Sequence, residues 1–301
     1  MPDQQEIDSE ELAEWTAIID GLLATITRRL GDNAWTPTFV SDAEREIRES
    51  ACFARADSGL WGRDPASTVY AAAEMYVHVV MDHVRSLRAL VAAGAPAPAS
   101  VDALARAALE ATSTIWWLTD DRVSARKRVA RLYVVRRESA AEYERAATAM
   151  GVAPDGGYGK TLADLDNYYV DQLGLSVTLS KKKNWAGSED ERLPGPTHRV
   201  ADYLESIGHP ATSAVYNFLS GSAHGELWRL QYGYTEMTGS DGVVRQYQVL
   251  SREFLRIGIG VALECLAYAI RMPLTMLGRS AALNDIWHHA SAIGSAFRYT
   301  E

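Results

Sequence analysis

The sequence predicts an all-α protein, a multi-helix bundle with one inserted β-hairpin near residues 231–249. Three observations carry this. Apolar residues recur at the helical spacing along most of the chain. Turn chemistry is concentrated in a few breaks, at 94–98, 151–157 and 181–196. One stretch alone looks like strand: Tyr232, Tyr234 and Val243 flank the tight-turn sequence Thr238-Gly-Ser-Asp-Gly242.

In chain order, the periodicity predicts helices over about 8–30, 40–58, 66–93, 99–119, 121–150, 160–178, 197–207, 211–230, 246–271 and 279–297. The polar segment 181–196 reads as a long loop. It divides the chain into an N-terminal helical part, 1–180, and a C-terminal part, 197–301, packed on it. One single domain over 1–301 is the alternative. No internal repeat points to a solenoid.

Composition narrows the function classes. The 301 residues are 47% apolar, enough for a sizeable core, and carry a formal net charge of -9. That acidity opposes broad binding to phosphate backbones. The two cysteines, Cys52 and Cys265, form neither a thiolate zinc spacing nor a disulfide framework. The acidic N-terminus is the opposite of a secretory leader. The longest apolar run, 257–270, is short for a membrane span and carries Glu264. These features point to a cytoplasmic protein with no membrane role. Five lysines among 30 Lys and Arg, with abundant alanine, suggest a GC-rich bacterial genome.

Three helices hold polar residues among apolar ones. In 103–119, Arg106, Glu110, Ser113 and Trp117 share one side. A helix apolar on nearly all sides is normally buried, so Arg106 and Glu110 are expected as a buried i,i+4 ion pair. Such a pair is costly unless another helix completes its hydrogen bonds. It is either an internal buttress or the floor of a polar pocket.

In 211–230, Asn217, Ser220, Gly221, His224 and Trp228 lie on one face, and Gly221 and Gly225 leave room for close approach. His224 is a candidate general base, with Ser220 one turn before it. There is no nucleophile elbow. Glu264 stands alone in 258–270 and is expected to ionise by joining Arg106, Glu110 and His224. The alternative is a carboxylate that reaches solvent.

Elsewhere the chemistry is sparser. Glu74, His78 and Asp82 are spaced like half of a helical metal site. They lie opposite the apolar stripe Tyr76, Val80, Val84, Leu87 and Val91, which favours a solvated face. No metal site is expected. His83 lies near the apolar stripe. Trp287, His288 and His289 belong to a helix with a mixed face. The run of arginines in 122–137, with Glu138, Glu142 and Glu144 nearby, reads as a solvated, salt-bridged helix rather than a nucleic-acid stripe.

The pattern Leu104-Ala-Arg106-x3-Glu110, Trp116-Trp117-Leu118-x-Asp120, Arg128-x2-Arg131 and Tyr216-x3-Ser220-x3-His224-Gly225 resembles a widespread group of uncharacterised helical bacterial proteins over about residues 100–230. The resemblance implies that Arg106, Glu110, Ser220 and His224 meet in space. It brings no established activity. The chain also shows a weaker resemblance to the helical HEPN ribonucleases of bacterial defence and toxin systems. Their signature places an arginine four to six residues before a histidine on one helix. Here Asn217, Phe218, Leu219 and Ser220 precede His224, so an arginine from another helix, such as Arg106, would have to substitute.

The resulting expectation is a small-molecule or acid/base site between helices. Arg106, Glu110 and His224 are its catalytic candidates, and Asn217, Ser220, Trp117 and Glu264 its ligand-binding candidates. The alternatives are a scaffolding protein that uses the hairpin and the 181–196 loop, or a HEPN-like ribonuclease. The spacing names no cofactor. A symmetric homodimer is the base-rate expectation for a helical bundle.

Overall fold

The computed structural model describes residues 7–31, 34–51, 65–94, 96–152, 162–182, 184–209, 212–224, 226, 234–238, 243–248, 252–279 and 283–286. The helices are α1 (Ser9–Arg29), α2 (Asp42–Ala51), α3 (Pro65–Ala92), α4 (Pro98–Leu118), α5 (Ala125–Ala149), α6 (Leu162–Asp166), α7 (Pro196–Ser206), α8 (Thr212–Ala223) and α9 (Arg252–Met276). Local sequence sets several of their starts. Asp8 caps α1 by accepting from the Glu11 amide at 2.8 Å. Ser124 accepts from the Lys127 amide at the start of α5. Prolines open α4 and α7, where a missing amide proton costs nothing.

Helix α4 is the centre of the bundle. It packs most extensively on α3 and α9, and on α7 and α8 at its other side. This is why its sequence is apolar almost all round. The α4–α9 crossing is close because α9 presents Gly258. A Cβ there would fall 2.7 Å from Val101 Cγ1. Helix α9 is long and apolar enough to cross a bilayer, but Ile259, Leu263, Leu266, Ile270 and Leu274 are buried in the core.

One hydrophobic cluster joins α1, α3, α4, α7, α8 and α9, so it draws on both sides of the 181–196 segment. A second lies between α3, the end of α4, α5 and the chain around Tyr168 and Tyr169.

The all-α bundle with an inserted hairpin is what the structure has. Strands β3 (Tyr234–Thr238) and β4 (Val244–Gln248) pair antiparallel, Tyr234 opposite Gln248 and Thr238 opposite Val244. Four local expectations need correction. The segment expected as a helix over 160–178 is the short α6 running into a π-helical stretch, Asn167–Gln172, which turns at Gly174 with φ 65°. The widened turn lets the adjacent Tyr168 and Tyr169 both bury.

The 181–196 loop contains strand β2 (Trp185–Ser188), paired with β1 (Val177–Leu179). Salt bridges from α5 hold this hairpin at its base. Arg126 donates to Glu189 at 2.9 Å, and Arg131 to Glu191 at 2.7 Å. Helix α8 ends at Ala223, short of 230. Helix α9 starts after β4, at Arg252, and runs through Pro273 because its last turn buries Leu274, Met276 and Leu277.

Candidate functional site

The polar residues of α4 form one stripe: Asp102, Arg106, Glu110, Ser113 and Trp117, at steps of four, four, three and four. The first three meet α8, and the last two meet α7 and α5. Ser222 of α8 donates to the buried Asp102 carboxylate. Arg106 and Glu110 meet the middle and end of α8. Ser113 Oγ accepts from Arg199 Nε of α7 at 3.3 Å. Trp117 lies beneath the Arg131 guanidinium of α5, 5.1 Å from it, and its carbonyl accepts from Arg131 at 2.7 Å.

The middle of the stripe is a closed hydrogen-bonded cluster. Arg106 Nε donates to Glu110 Oε1 at 2.8 Å, and Nη2 donates to the Tyr216 hydroxyl at 3.2 Å. That hydroxyl donates in turn to Glu110 Oε1 at 2.8 Å. Arg106 Nη1 lies 3.1 Å from His224 Nε2. A guanidinium has no acceptor, so His224 Nε2 must accept. A hydrogen bond in this contact requires the imidazole tautomer with its proton on Nδ1.

Burial alone would lower the Arg106 pKa, but the Glu110 and Tyr216 contacts outweigh it and raise it. Burial, then the Glu110 carboxylate, raises the Tyr216 phenol. At neutral pH the cluster thus holds a fixed cation and a neutral phenol donor.

The Arg106–Glu110 pair forms as the i,i+4 spacing predicts, but it is not fully buried. The side chains retain 21% and 30% exposure, and His224 is exposed just past the end of α8. The pair sits where α8 ends, so solvent reaches it.

The face of α8 is turned by about one residue from the expected one. Tyr216, Ser220 and His224 form its stripe at four-residue steps, and Tyr216 makes the contacts to α4. Asn217 is exposed at the edge. Ser220 lies between Tyr216 and His224, and its buried hydroxyl has no hydrogen-bond partner among the described residues. Gly225 and Trp228 lie outside the described residues. Sequence reasoning on the wheel missed Tyr216, although the repeat Tyr216-x3-Ser220-x3-His224 contains it.

Two other site candidates fall elsewhere. Trp117 shares the face of Arg106 but sits three turns further along, where α5 has replaced α8 as the neighbour. Glu264 is half-buried on α9, where its charge adds to burial, the main cause, in raising the Tyr203 phenol and the Cys265 thiol. Arg199 was not foreseen. It is 8% exposed, burial lowers its pKa, and the charges of Tyr76, Glu110 and Tyr216 pull it back up. Its Nη1 also donates to the Pro194 carbonyl at 3.0 Å. The signal for it was an arginine among Val200, Tyr203 and Leu204 on an amphipathic helix.

The remaining polar sets are structural. Glu74 and His78 stand 3.9 Å apart on an exposed face, and Asp82 pairs with Arg85. Among the described residues no cluster could hold a metal ion. His83 is half-buried, and its pKa is lowered by burial against the pull of Asp82. Residues 287–289 and Cys52 lie outside the described residues.

Arg126, Arg128, Arg131, Arg137 and Arg145 of α5 are salt-bridged, but two of them point inward rather than into solvent. Arg128 pairs with Glu46, itself bonded to the Tyr70 hydroxyl at 2.7 Å, and both members of the pair are buried. Arg131 bridges Asp120 and Glu191. Comparison with known proteins finds no matching family model, no matching curated protein and no matching solved structure.

Proposed function

We propose that the face shared by α4 and α8 binds a small anionic molecule, with His224 as its acid/base group. The contact between Arg106 and the exposed His224 carries the reading. Arg106 supplies the charge, and Glu110 and Tyr216 fix its plane. An arriving anion would replace the imidazole as the partner of Nη1. His224 is then free to take up or deliver a proton beside the bound anion. Substituting His224→Ala should abolish turnover and leave the melting temperature unchanged, whereas anion binding should be lost in Arg106→Ala. If His224→Ala and Arg106→Ala lower only the melting temperature, the cluster is a buttress.

The same contact supports a second reading, phosphodiester cleavage. An arginine 118 positions away supplies what the α8 sequence lacks beside its histidine. The formal charge of -9 opposes a long polyanion. Incubation with RNA across pH and metal conditions, with no cleavage seen, would dispose of this reading.

A further inference from the structure

Arg199 on α7 has too few acceptors for its burial. The side chain is 8% exposed. Its Nε donates to Ser113 Oγ at 3.3 Å and its Nη1 to the Pro194 carbonyl at 3.0 Å. Both acceptors are neutral. Nη2 has no hydrogen-bond partner among the described residues, nor is it sealed from solvent. A guanidinium carries five donors, so most of these stay unused.

The charge is also unmatched. Among the described residues Arg199 forms no ion pair, and the two acids of its own helix, Asp202 and Glu205, are exposed. The groups whose charge acts on it are Tyr76, Glu110 and Tyr216. Burial raises both phenols, so neither is ionised at neutral pH. That leaves Glu110, whose carboxylate already accepts from Arg106 Nε and from the Tyr216 hydroxyl. Two arginines therefore share one carboxylate, and one positive charge is left over. Arginine cannot shed its proton to escape this, and a buried cation without a counter-charge is costly to keep.

We propose that Arg199 anchors a binding site for a small carboxylate between α4, α7 and α8. The single surplus charge selects a monoanion. The planar fork suits two coplanar oxygens better than a halide. The narrow opening to Nη2 restricts the ligand to a short one. Ser113 holds the guanidinium by its Nε edge and leaves Nη2 to the ligand. The site lies beside Glu110 but does not rest on the acid/base reading of His224.

Titration with formate, followed by proton–nitrogen NMR, tests it. The Arg199 Nε–H and the Ser113 amide are the local reporters. Both should move saturably with formate, and chloride at equal concentration and ionic strength should move them less. In Arg199→Met the Ser113 amide should no longer respond. In Arg199→Lys, which keeps the charge but not the fork, the Ser113 response should need about fivefold more formate, the loss of roughly one hydrogen bond. His224→Ala should leave both reporters responding as in the native protein, so failure here is distinct from failure of the His224 reading. The proposal is overturned if neither reporter saturates. It is also overturned if Ser113 still responds in Arg199→Met, if Arg199→Lys binds formate as tightly as the native protein, or if chloride binds as tightly as formate.

Discussion

Arg106 and His224 face each other across the α4–α8 contact, with Nη1 3.1 Å from Nε2, and a hydrogen bond between them requires the imidazole proton on Nδ1. The guanidinium can only donate, so the imidazole must hold its hydrogen on Nδ1. Nitrogen-15 spectra at neutral pH should show His224 as the Nδ1–H tautomer. In Arg106→Gln that preference should weaken, because the strong donor is gone. A pure Nε2–H tautomer in the native protein would contradict the contact.

The buried pair Glu46–Arg128 joins α2 to α5 through side chains 8% and 3% exposed. Burial pulls the Arg128 pKa down to about 10, which still leaves it charged at neutral pH, and the Glu46 carboxylate against it offsets that charge. Removing one partner strands a buried charge. Glu46→Ala should cost about 3–5 kcal/mol in urea unfolding. Tyr70→Phe, which removes one hydrogen bond to the same carboxylate, should cost about 1 kcal/mol. Equal effects would show that the pair is solvated rather than buried.

How much of this was legible follows from reach along the chain. The Arg106–Glu110 pair could be read because it lies one helical turn apart. The choice of Asn217 over Tyr216 was an error of helical phase: one residue is about 100°, enough to move a side chain off the contact. Trp117 was placed on the correct side of α4 but beside the wrong helix, because a wheel carries no axial information. Glu46 and Arg128 are 82 positions apart, and each sits in a polar stretch that reads as surface. The β1–β2 hairpin was hidden because β1, Val177–Leu179, falls at the end of the segment expected as a helix over 160–178 and at its polar edge, so its partner read as loop.

Gly258 tests the packing around α4. A Cβ there meets Val101 Cγ1 at 2.7 Å, and the stiff valine cannot easily yield. Gly258→Ala should destabilise by about 1–3 kcal/mol. Pairing it with Val101→Ala should recover part of that loss in a double-mutant cycle. Gly31→Ala, where nothing lies within 4 Å, should stay within about 0.5 kcal/mol of the parent.

Acid should loosen the α5 end of the molecule. Burial alone would raise Asp120 and Glu189, but their contacts with Arg122 and Arg131, and with Arg126 and Ser176, bring both below their ordinary values of 3.8 and 4.5. The unfolded chain then binds more protons than the native one just below those values. The stability they provide is complete above them and is lost as pH falls through the lowered native pKa values. Urea midpoints should therefore show no loss from these two groups between pH 7 and about 5, and a fall below about 4. Replacing Arg126 by Met should flatten the Glu189 share of that fall. An unchanged acid limb in the variant would show that the pair does not set it.

The most direct measurement titrates inorganic phosphate into the protein while the His224 ring resonances are followed by NMR. If Arg106 is an anion-binding group that releases His224, the resonances should move saturably and show the ring gaining a proton. The shift should disappear in Arg106→Gln, with the fold unchanged. If phosphate leaves His224 unmoved, or moves it equally in Arg106→Gln, the cluster is a helix-to-helix buttress and the proposed site is wrong.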